Sequence, residues 1–185
     1  MKDIKEVDEK TIMESAKEYN IPLEDNFELD TAYYSFLHSF DTSLFKEQVK
    51  NHYQPLQALY FDKSKQLISF QINCYAGGAP NLTWDRDSIL SIFPPRQQAS
   101  LDNLLTLDTQ MKYLKPLSKT AALTIDNYDY LVIIYWNRFM DRQSRRLINF
   151  IQQNSKLSTN AKVKIIYANN DNLFALASKN YKHIF

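Results

Sequence analysis

The clearest pattern in the chain is an alternation of apolar and polar residues in its second quarter. Apolar residues take every second position from Ile68 to Cys74, which predicts a strand with one buried and one solvent-facing side. The apolar run 56–61 precedes this strand, and the polar residues 62–66 lie between the two. Two such runs joined by a short polar turn predict a β-hairpin.

The last third of the chain alternates between strand and helix patterns. A continuous apolar run from Tyr130 to Trp136 predicts a strand covered on both sides, and residues 141–154 form an amphipathic helical pattern. Residues 162–167 and 171–180 repeat the pair as a second strand and a short helix. A β-α-β-α order at this spacing predicts a right-handed parallel crossover, and therefore a protein of the α/β class.

The first part of the chain carries apolar positions at helical spacing. The predicted helices cover 5–20, 31–40 and 42–53. Residues 24–26, between the first two helices, are predicted as a loop. In the third helix, the pattern predicts Leu44, Phe45 and Val49 on one buried face.

A further helix is predicted to begin at Ser100 and to end before Pro116, because proline disfavours helical geometry in the residue that precedes it. We therefore divide the chain into two parts. Residues 1–55 are predicted as an α-helical N-terminal extension, and residues 56–185 as an α/β domain that starts with the hairpin.

Composition and charge limit the classes of function. The chain has 22 Lys+Arg against 21 Asp+Glu, a net charge of +1, which removes the bulk-charge argument for a nucleic-acid-binding protein. The N-terminal residues are charged and lack the apolar core of a signal peptide, and the longest apolar run is far shorter than the roughly 20 residues of a membrane span. We expect a soluble, cytoplasmic protein without a membrane span. A periplasmic or secreted location stays open in case the chain is a mature fragment.

The junction between the strand at 130–136 and the helix that follows resembles the active-site motif of the thioredoxin family. In that family, an apolar strand ends in an aromatic residue and a Trp, and continues into Trp-Cys-x-x-Cys at the start of a helix. Here Trp136 matches the family's first Trp, Phe139 stands where the second usually is, and Met140 and Gln143 fall on the two cysteines. The resemblance covers the last third of the chain. It implies a thioredoxin-like fold, with three α/β/α layers and a mixed sheet.

The family closes its sheet with an antiparallel hairpin after the motif, whereas no hairpin pattern follows residue 180 here. The hairpin of this chain, at 56–74, lies upstream of the motif instead. We hypothesise that it pairs with the late strands and replaces the missing one, because the edges of a sheet have to be covered.

The motif of this chain lacks the groups that perform the family's chemistry. A thiolate is the nucleophile of disulfide exchange, but the thioether of Met140 cannot ionise and the amide of Gln143 cannot resolve a mixed disulfide. The resemblance therefore implies a redox-inactive binding or adaptor module, without catalytic residues or a cofactor, whose partner is another protein or a second copy of the chain. Its candidate binding surface is expected to be exposed and consists of Trp136, Phe139, Met140 and Gln143.

A second candidate binding surface is the loop after the hairpin, which holds both glycines of the chain. Backbone amides made accessible by Gly77 and Gly78, between Tyr75 and Trp84, could bind a peptide or a small polar ligand. The alternative is a structural crossing in which Trp84 fills the core and the glycines let the chain pass closely.

An enzyme is the rival class of function. Its site would be built from the loop 74–96, with Cys74 as a nucleophile beside His52. A small core residue on the apolar face of a strand is the commoner role for a single cysteine. The three histidines share no metal-ligand spacing, so we expect no metal site.

Overall fold

A single six-stranded sheet organises the chain in the computed structural model, which describes residues 3–77, 81–102, 104–119 and 127–181. The strands are β1 (Asn26–Leu29), β2 (Gln57–Asp62), β3 (Leu67–Ile72), β4 (Leu114–Pro116), β5 (Tyr130–Trp136) and β6 (Val163–Asn169). Their order across the sheet is β3-β2-β5-β6-β1-β4.

The middle of the sheet is parallel and both of its margins are antiparallel. β5 and β6 pair in parallel along their full length, from Tyr130 opposite Val163 to Trp136 opposite Asn169, which confirms that the predicted crossover is parallel. β1 pairs in parallel with the other side of β6. The hairpin β2–β3 is also confirmed, and β2 pairs antiparallel with β5. The hypothesis that the hairpin joins the late strands in one mixed sheet is therefore correct.

Six α-helices surround the sheet in the described part of the chain: α1 (Glu9–Glu18), α2 (Ala32–His38), α3 (Thr42–His52), α4 (Leu107–Lys112), α5 (Asp141–Ser155) and α6 (Asp171–Tyr181). Short 3₁₀ turns cover Leu23–Asp25 and Arg86–Ser91. Side-chain oxygens cap several helix starts: Asp8 accepts from the amide of Thr11 and Asp41 from that of Ser43.

The core consists of two apolar layers, one on each side of the sheet. Successive strand residues point to opposite faces, so Val132, Ile134 and Trp136 of β5 enter one layer and the residues between them enter the other. The first layer is covered by α1 and α5, and the second by α2, α3, α4 and α6. The arrangement is an open mixed α/β sheet with helices on both faces.

Two predicted elements are wrong. Residues 24–26 were expected to form a loop, but β1 starts at Asn26 and buries Phe27 and Leu29 between β6 and β4. The N-terminal part is therefore not purely helical, and strands from both sides of residue 55 share one sheet.

The predicted helix from Ser100 is the second error. The helix begins only at Leu107, because Asp102 uses its carboxylate to bind the Leu104 amide and His52, and Thr106 caps the helix start instead. Leu114–Pro116 then form β4, an edge strand where a proline is tolerated. No helix in the described ranges is both long and apolar enough to span a bilayer.

Candidate functional site

The junction between β5 and α5, where the predicted motif lies, is closed by a network of hydrogen bonds. The Asn137 Oδ1 atom accepts from the Met140 amide at 2.9 Å. Its Nδ2 donates to the Pro55 carbonyl at 2.9 Å and to the Asn170 Oδ1 at 3.2 Å. Asn170 Nδ2 donates to the same Pro55 carbonyl at 2.9 Å. Because these residues flank the neighbouring strands β2, β5 and β6, the two amides join the three strand ends.

A buried carboxylate extends this network to α6. Both carboxylate oxygens of Asp171 accept from the Arg138 amide, at 3.0 and 3.1 Å, and Asn169 Nδ2 donates to the Oδ2 atom at 2.8 Å. Burial raises the pKa of Asp171, although the hydrogen bonds from Asn169 and the Arg138 amide oppose that rise. Ser144 Oγ donates to the Asn137 carbonyl at 2.6 Å from the first turn of α5. The side chains of Asn137, Asp171 and Ser144 are thus used for internal hydrogen bonds.

The expectation of an exposed apolar surface at the motif is wrong. The side chains of Trp136, Phe139, Met140 and Gln143 are all buried, and Trp136 is 0% exposed. Trp136, Phe139 and Met140 belong to the core layer beneath α1 and α5. The motif therefore offers neither a thiol nor an accessible apolar contact.

The physical reason for this burial is helix α1, which packs over the junction. The Tyr19 ring meets the Trp136 ring edge-on, with centroids 5.2 Å apart, and its hydroxyl donates to Asp141 Oδ1 at 2.5 Å. Arg138 Nε donates to Ser15 Oγ at 3.1 Å. Burial, together with the hydrogen bond to Asp141, raises the pKa of Tyr19 well above its usual value, so the phenol stays protonated.

Arg145 on α5 adds ion pairs at the solvent-facing side of the contact between α1 and α5. Arg145 pairs with Asp141 on its own helix and with Glu18 at the end of α1, both at 3.0 Å, and its guanidinium lies 4.3 Å from the centre of the Tyr19 ring. Burial acts to lower the pKa of Arg145, but the hydrogen bonds that it donates to Asp141 and Glu18 raise it. A helix is present within the predicted range 5–20, at Glu9–Glu18, but the apolar pattern did not indicate that it would cover Trp136.

The residues of the second candidate surface, in the loop after the hairpin, do not share one exposed surface. Tyr75 is 42% exposed and Gly77 is also exposed, whereas Trp84 is buried in the core layer of α1 and α5. Trp84 therefore fills the core, as in the structural alternative, and its assignment to a binding surface is wrong. Gly77 has a φ of +101°, a backbone conformation that other residues rarely adopt, so the position favours glycine. Gly78 lies outside the described residues.

The proposed pairing of Cys74 with His52 has no hydrogen bond to support it. His52 is buried, its ring is stacked on Phe70 at 4.7 Å, and its Nε2 lies 3.2 Å from both oxygens of Asp102. Its Nδ1 has no hydrogen-bond partner. Cys74 is exposed, contrary to the predicted core position, because β3 ends at Ile72 and the alternation does not continue into the turn.

The His52–Asp102 pair fastens the segment before α4 to the end of α3. Burial acts to raise the pKa of Asp102, but the hydrogen bond and charge of His52 and the amides of Leu104 and Leu105 together lower it. The pair is a structural contact in this geometry, since no nucleophile is bonded to the free nitrogen of His52.

Exposed apolar side chains occur at the start of α3, where the sequence pattern predicted a buried face. Leu44 is 71% exposed and Phe45 36% exposed. The Tyr75 hydroxyl donates to Glu47 Oε1, in the middle of α3, at 3.2 Å. We call the following residues the α3 surface: Leu44, Phe45, Glu47 and Tyr75.

Val49, Asn51 and His52 are the buried positions of α3, whereas Leu44 is largely exposed and so does not share their face. Phe45 would face inward in a regular helix, but its backbone departs from helical values (φ −120°, ψ 21°), which leaves its ring near the surface beside Phe40. The predicted common face of Leu44, Phe45 and Val49 is therefore wrong.

No group of three or more His, Cys, Asp or Glu side chains suited to a metal ion occurs in the described segments. Comparisons of the chain with protein-family models, with curated proteins and with solved structures found no match. The resemblance to the thioredoxin family therefore stays a prediction.

Proposed function

We propose that the chain is a redox-inactive thioredoxin-like protein that acts by binding another protein. The parallel crossover β5-α5-β6, with Trp136 at the end of its first strand, supports the thioredoxin-like part of the proposal. The hairpin β2–β3 adds to it, because it lies antiparallel beside β5 and so takes the place of the family's closing hairpin.

The chemistry of the motif supports a binding role over a redox role. Met140 and Gln143 stand on the two cysteine positions, and neither side chain carries a group that can attack a disulfide. The only cysteine of the chain, Cys74, follows β3 and is not part of the motif. A lone thiol has no resolving partner within its own chain.

The clustering of exposed apolar side chains is the observation that carries the proposal. Among the described residues, seven large apolar side chains are exposed, and three of them belong to the α3 surface: Leu44, Phe45 and Tyr75. Scattered exposed apolar residues are normal on a soluble protein, but exposed apolar residues that lie together on one element favour a contact surface. The other four, Ile4, Ile92, Leu101 and Leu157, do not belong to this group.

Site-specific photo-crosslinking in the native host tests this role. We expect a photoreactive phenylalanine analogue at Leu44 to form a discrete protein adduct, because this side chain is the most exposed apolar group of the surface. The matched control places the same analogue at Leu157, which is 47% exposed after α5. Equal adducts from both positions, or none from Leu44, would contradict the proposal. An adduct of twice the chain mass would identify a second copy as the partner.

An insulin reduction assay tests the loss of redox chemistry separately. We expect no turnover above the rate of dithiothreitol alone, because the motif holds no thiol. Turnover that disappears on Cys74→Ser would show that the chain is an oxidoreductase and overturn this part of the proposal.

A further inference from the structure

We propose that α6 carries a binding site for an extended peptide in which a glutamate precedes an apolar residue. In the free protein, Glu6 and Val7 of the chain itself occupy this site, and a protein partner with such a segment displaces them. We call residues 3–7, which precede the cap of α1, the strap. The proposed site shares no residue with the α3 surface and does not depend on it.

One side chain of α6 binds the backbone of the strap. Asn172 Oδ1 accepts from the Val7 amide at 2.8 Å, and Asn172 Nδ2 donates to the Val7 carbonyl at 2.9 Å. Both polar backbone groups of one residue are thus bonded to a single side-chain amide, much as a residue in an antiparallel sheet exchanges both bonds with its neighbour. Because these bonds use only the backbone, they suit an extended segment of any residue type except proline, which has no amide hydrogen.

Two side-chain contacts of the strap give the site a sequence preference. The Val7 side chain is partly buried and packs against the core layer beneath α1 and α5. Lys179 Nζ lies 2.8 Å from Glu6 Oε1. Asn172 and Lys179 are seven residues apart on α6, which is about two turns, so both lie on the same side of the helix. The site therefore favours an acidic residue followed directly by an apolar one.

The position of Asn172 does not depend on the strap. Its Nδ2 atom also donates to Glu28 Oε1 on β1, at 2.7 Å. Asn172 belongs to the first turn of α6, where the neighbouring residues Asp171 and Leu173 are both buried. The side-chain amide thus stays oriented by the sheet when the strap leaves, and it is ready to bind the backbone of another segment.

The strap can leave this site while α1 stays in place. Residues 3–6 are exposed, whereas Ile12 and Ala16 of α1 are 0% exposed. Release breaks the two bonds to Asn172 and the exposed ion pair of Glu6, and it uncovers part of Val7. A tethered segment competes at an effective concentration on the order of millimolar, so the strap lowers the apparent affinity of the site for a partner.

NMR titration of the full-length, ¹⁵N-labelled protein with a synthetic peptide tests the site. The peptide has the sequence of residues 3–8, and a control peptide carries Ser in place of both its Glu and its Val. The full-length double variant Glu6→Ser/Val7→Ser weakens the strap and opens the site. We expect this variant to bind the first peptide about tenfold more tightly than the unmodified chain, the ratio for a site that the strap keeps about nine-tenths occupied. The control peptide should not bind.

Two further substitutions in the double variant locate the peptide. Asn172→Ala should abolish binding, because it removes both bonds to the peptide backbone. Lys179→Glu changes an exposed side chain, so it leaves folding intact and should weaken binding by about threefold. The matched control, Asn149→Ala on the exposed side of α5, should leave binding unchanged.

Three results would overturn the inference. The first is the absence of binding to the double variant at millimolar peptide, and the second is equal affinity in the double variant and the unmodified chain. The third is binding that is unaffected by Lys179→Glu and by Asn172→Ala. If light scattering shows dimers that the double variant cannot form, the occupant is the strap of a second copy, which would overturn the assignment to a different protein.

Discussion

Asn137 follows the tryptophan of the motif, and all of its side-chain hydrogen-bonding groups are used within the chain. Its amide reaches Met140 on its own segment, Pro55 before β2 and Asn170 after β6. In an oxidoreductase of this resemblance, the same junction would have to present a reactive group to a substrate. Here the side chain of Asn137 joins the ends of three strands instead, so the local chemistry is structural.

Replacement of Asn137 by Ala should therefore destabilise the fold strongly. The change leaves the Met140 amide without its acceptor in a buried position and removes two donors, so we expect the free energy of unfolding to fall by about 2–4 kcal/mol. Urea denaturation measures this loss. The control is Asn149→Ala on the exposed side of α5, which should cost less than about 0.5 kcal/mol. Similar losses in both variants would show that the network contributes little.

Burial of individual residues was the least predictable property of the sequence. Trp136 ends an apolar strand and looks like a surface anchor when only its own segment is considered. Its burial depends on Tyr19 and the rest of α1, which are remote in sequence. Cys74 is the reverse case, because its alternating position indicated a core residue until the strand ended at Ile72. Local patterns do not contain such tertiary contacts.

At the scale of the elements, the C-terminal end of α3 is packed against the rest of the protein, and its N-terminal end is exposed. His52 is buried at the last turn and pairs with Asp102, whereas Leu44 in the first turn is largely exposed. The helix is therefore anchored through its C-terminal half. This arrangement leaves the N-terminal half available for contact with a partner without loss of the core residues that hold the helix on the sheet.

The His52–Asp102 pair makes part of the free energy of unfolding dependent on pH. The pKa of Asp102 is below the unfolded value of 3.8, so ionised Asp102 stabilises the fold above that value, and the contribution is lost as the pH falls through the folded pKa. We expect Asp102→Asn to lower the free energy of unfolding near pH 6. The difference from the unmodified protein should shrink when both are measured below about pH 4.

Asp108→Asn serves as the control for this pH dependence, because Asp108 is exposed and forms a surface ion pair with Lys65. Its effect should be small across the same pH range. A difference between the Asp102 variant and the unmodified protein that stays constant on acidification would show that the carboxylate charge is not what anchors α3.

At the scale of the whole molecule, the long patterns were predictable and the short elements were not. The crossover β5-α5-β6 and the hairpin each extend over many residues with a consistent period, so their local signal is strong. β1 has four residues and β4 three; β1 is a strand because it pairs with β6 and β4, and β4 because it pairs with β1. The need to cover the edges of the sheet predicted that the hairpin would pair with the late strands. No local pattern indicated that β1 would lie beside β6.

The position of β1 predicts that residues 56–185 cannot fold without residues 1–55. Loss of the N-terminal part removes β1, which lies between β6 and β4 and connects β4 to the sheet. It also removes seven large buried side chains from the two core layers: Ile12, Tyr19, Ile21, Phe27, Leu29, Tyr33 and Leu37. Each fully buried large apolar side chain contributes about 1.5–3 kcal/mol. The total loss exceeds about 10 kcal/mol, against a typical stability of about 5–15 kcal/mol.

Expression of residues 56–185 alone tests this prediction by NMR and thermal unfolding. We expect poor chemical-shift dispersion and no cooperative transition, because β6 and the remaining core faces would be open to water. A chain that begins at Glu6 is the matched control, since residues 3–5 are exposed and should be dispensable. If residues 56–185 instead unfold cooperatively and give a dispersed spectrum, they form a domain of their own. Residues 1–55 would then not be needed for the stability of residues 56–185, although β1 belongs to the shared sheet.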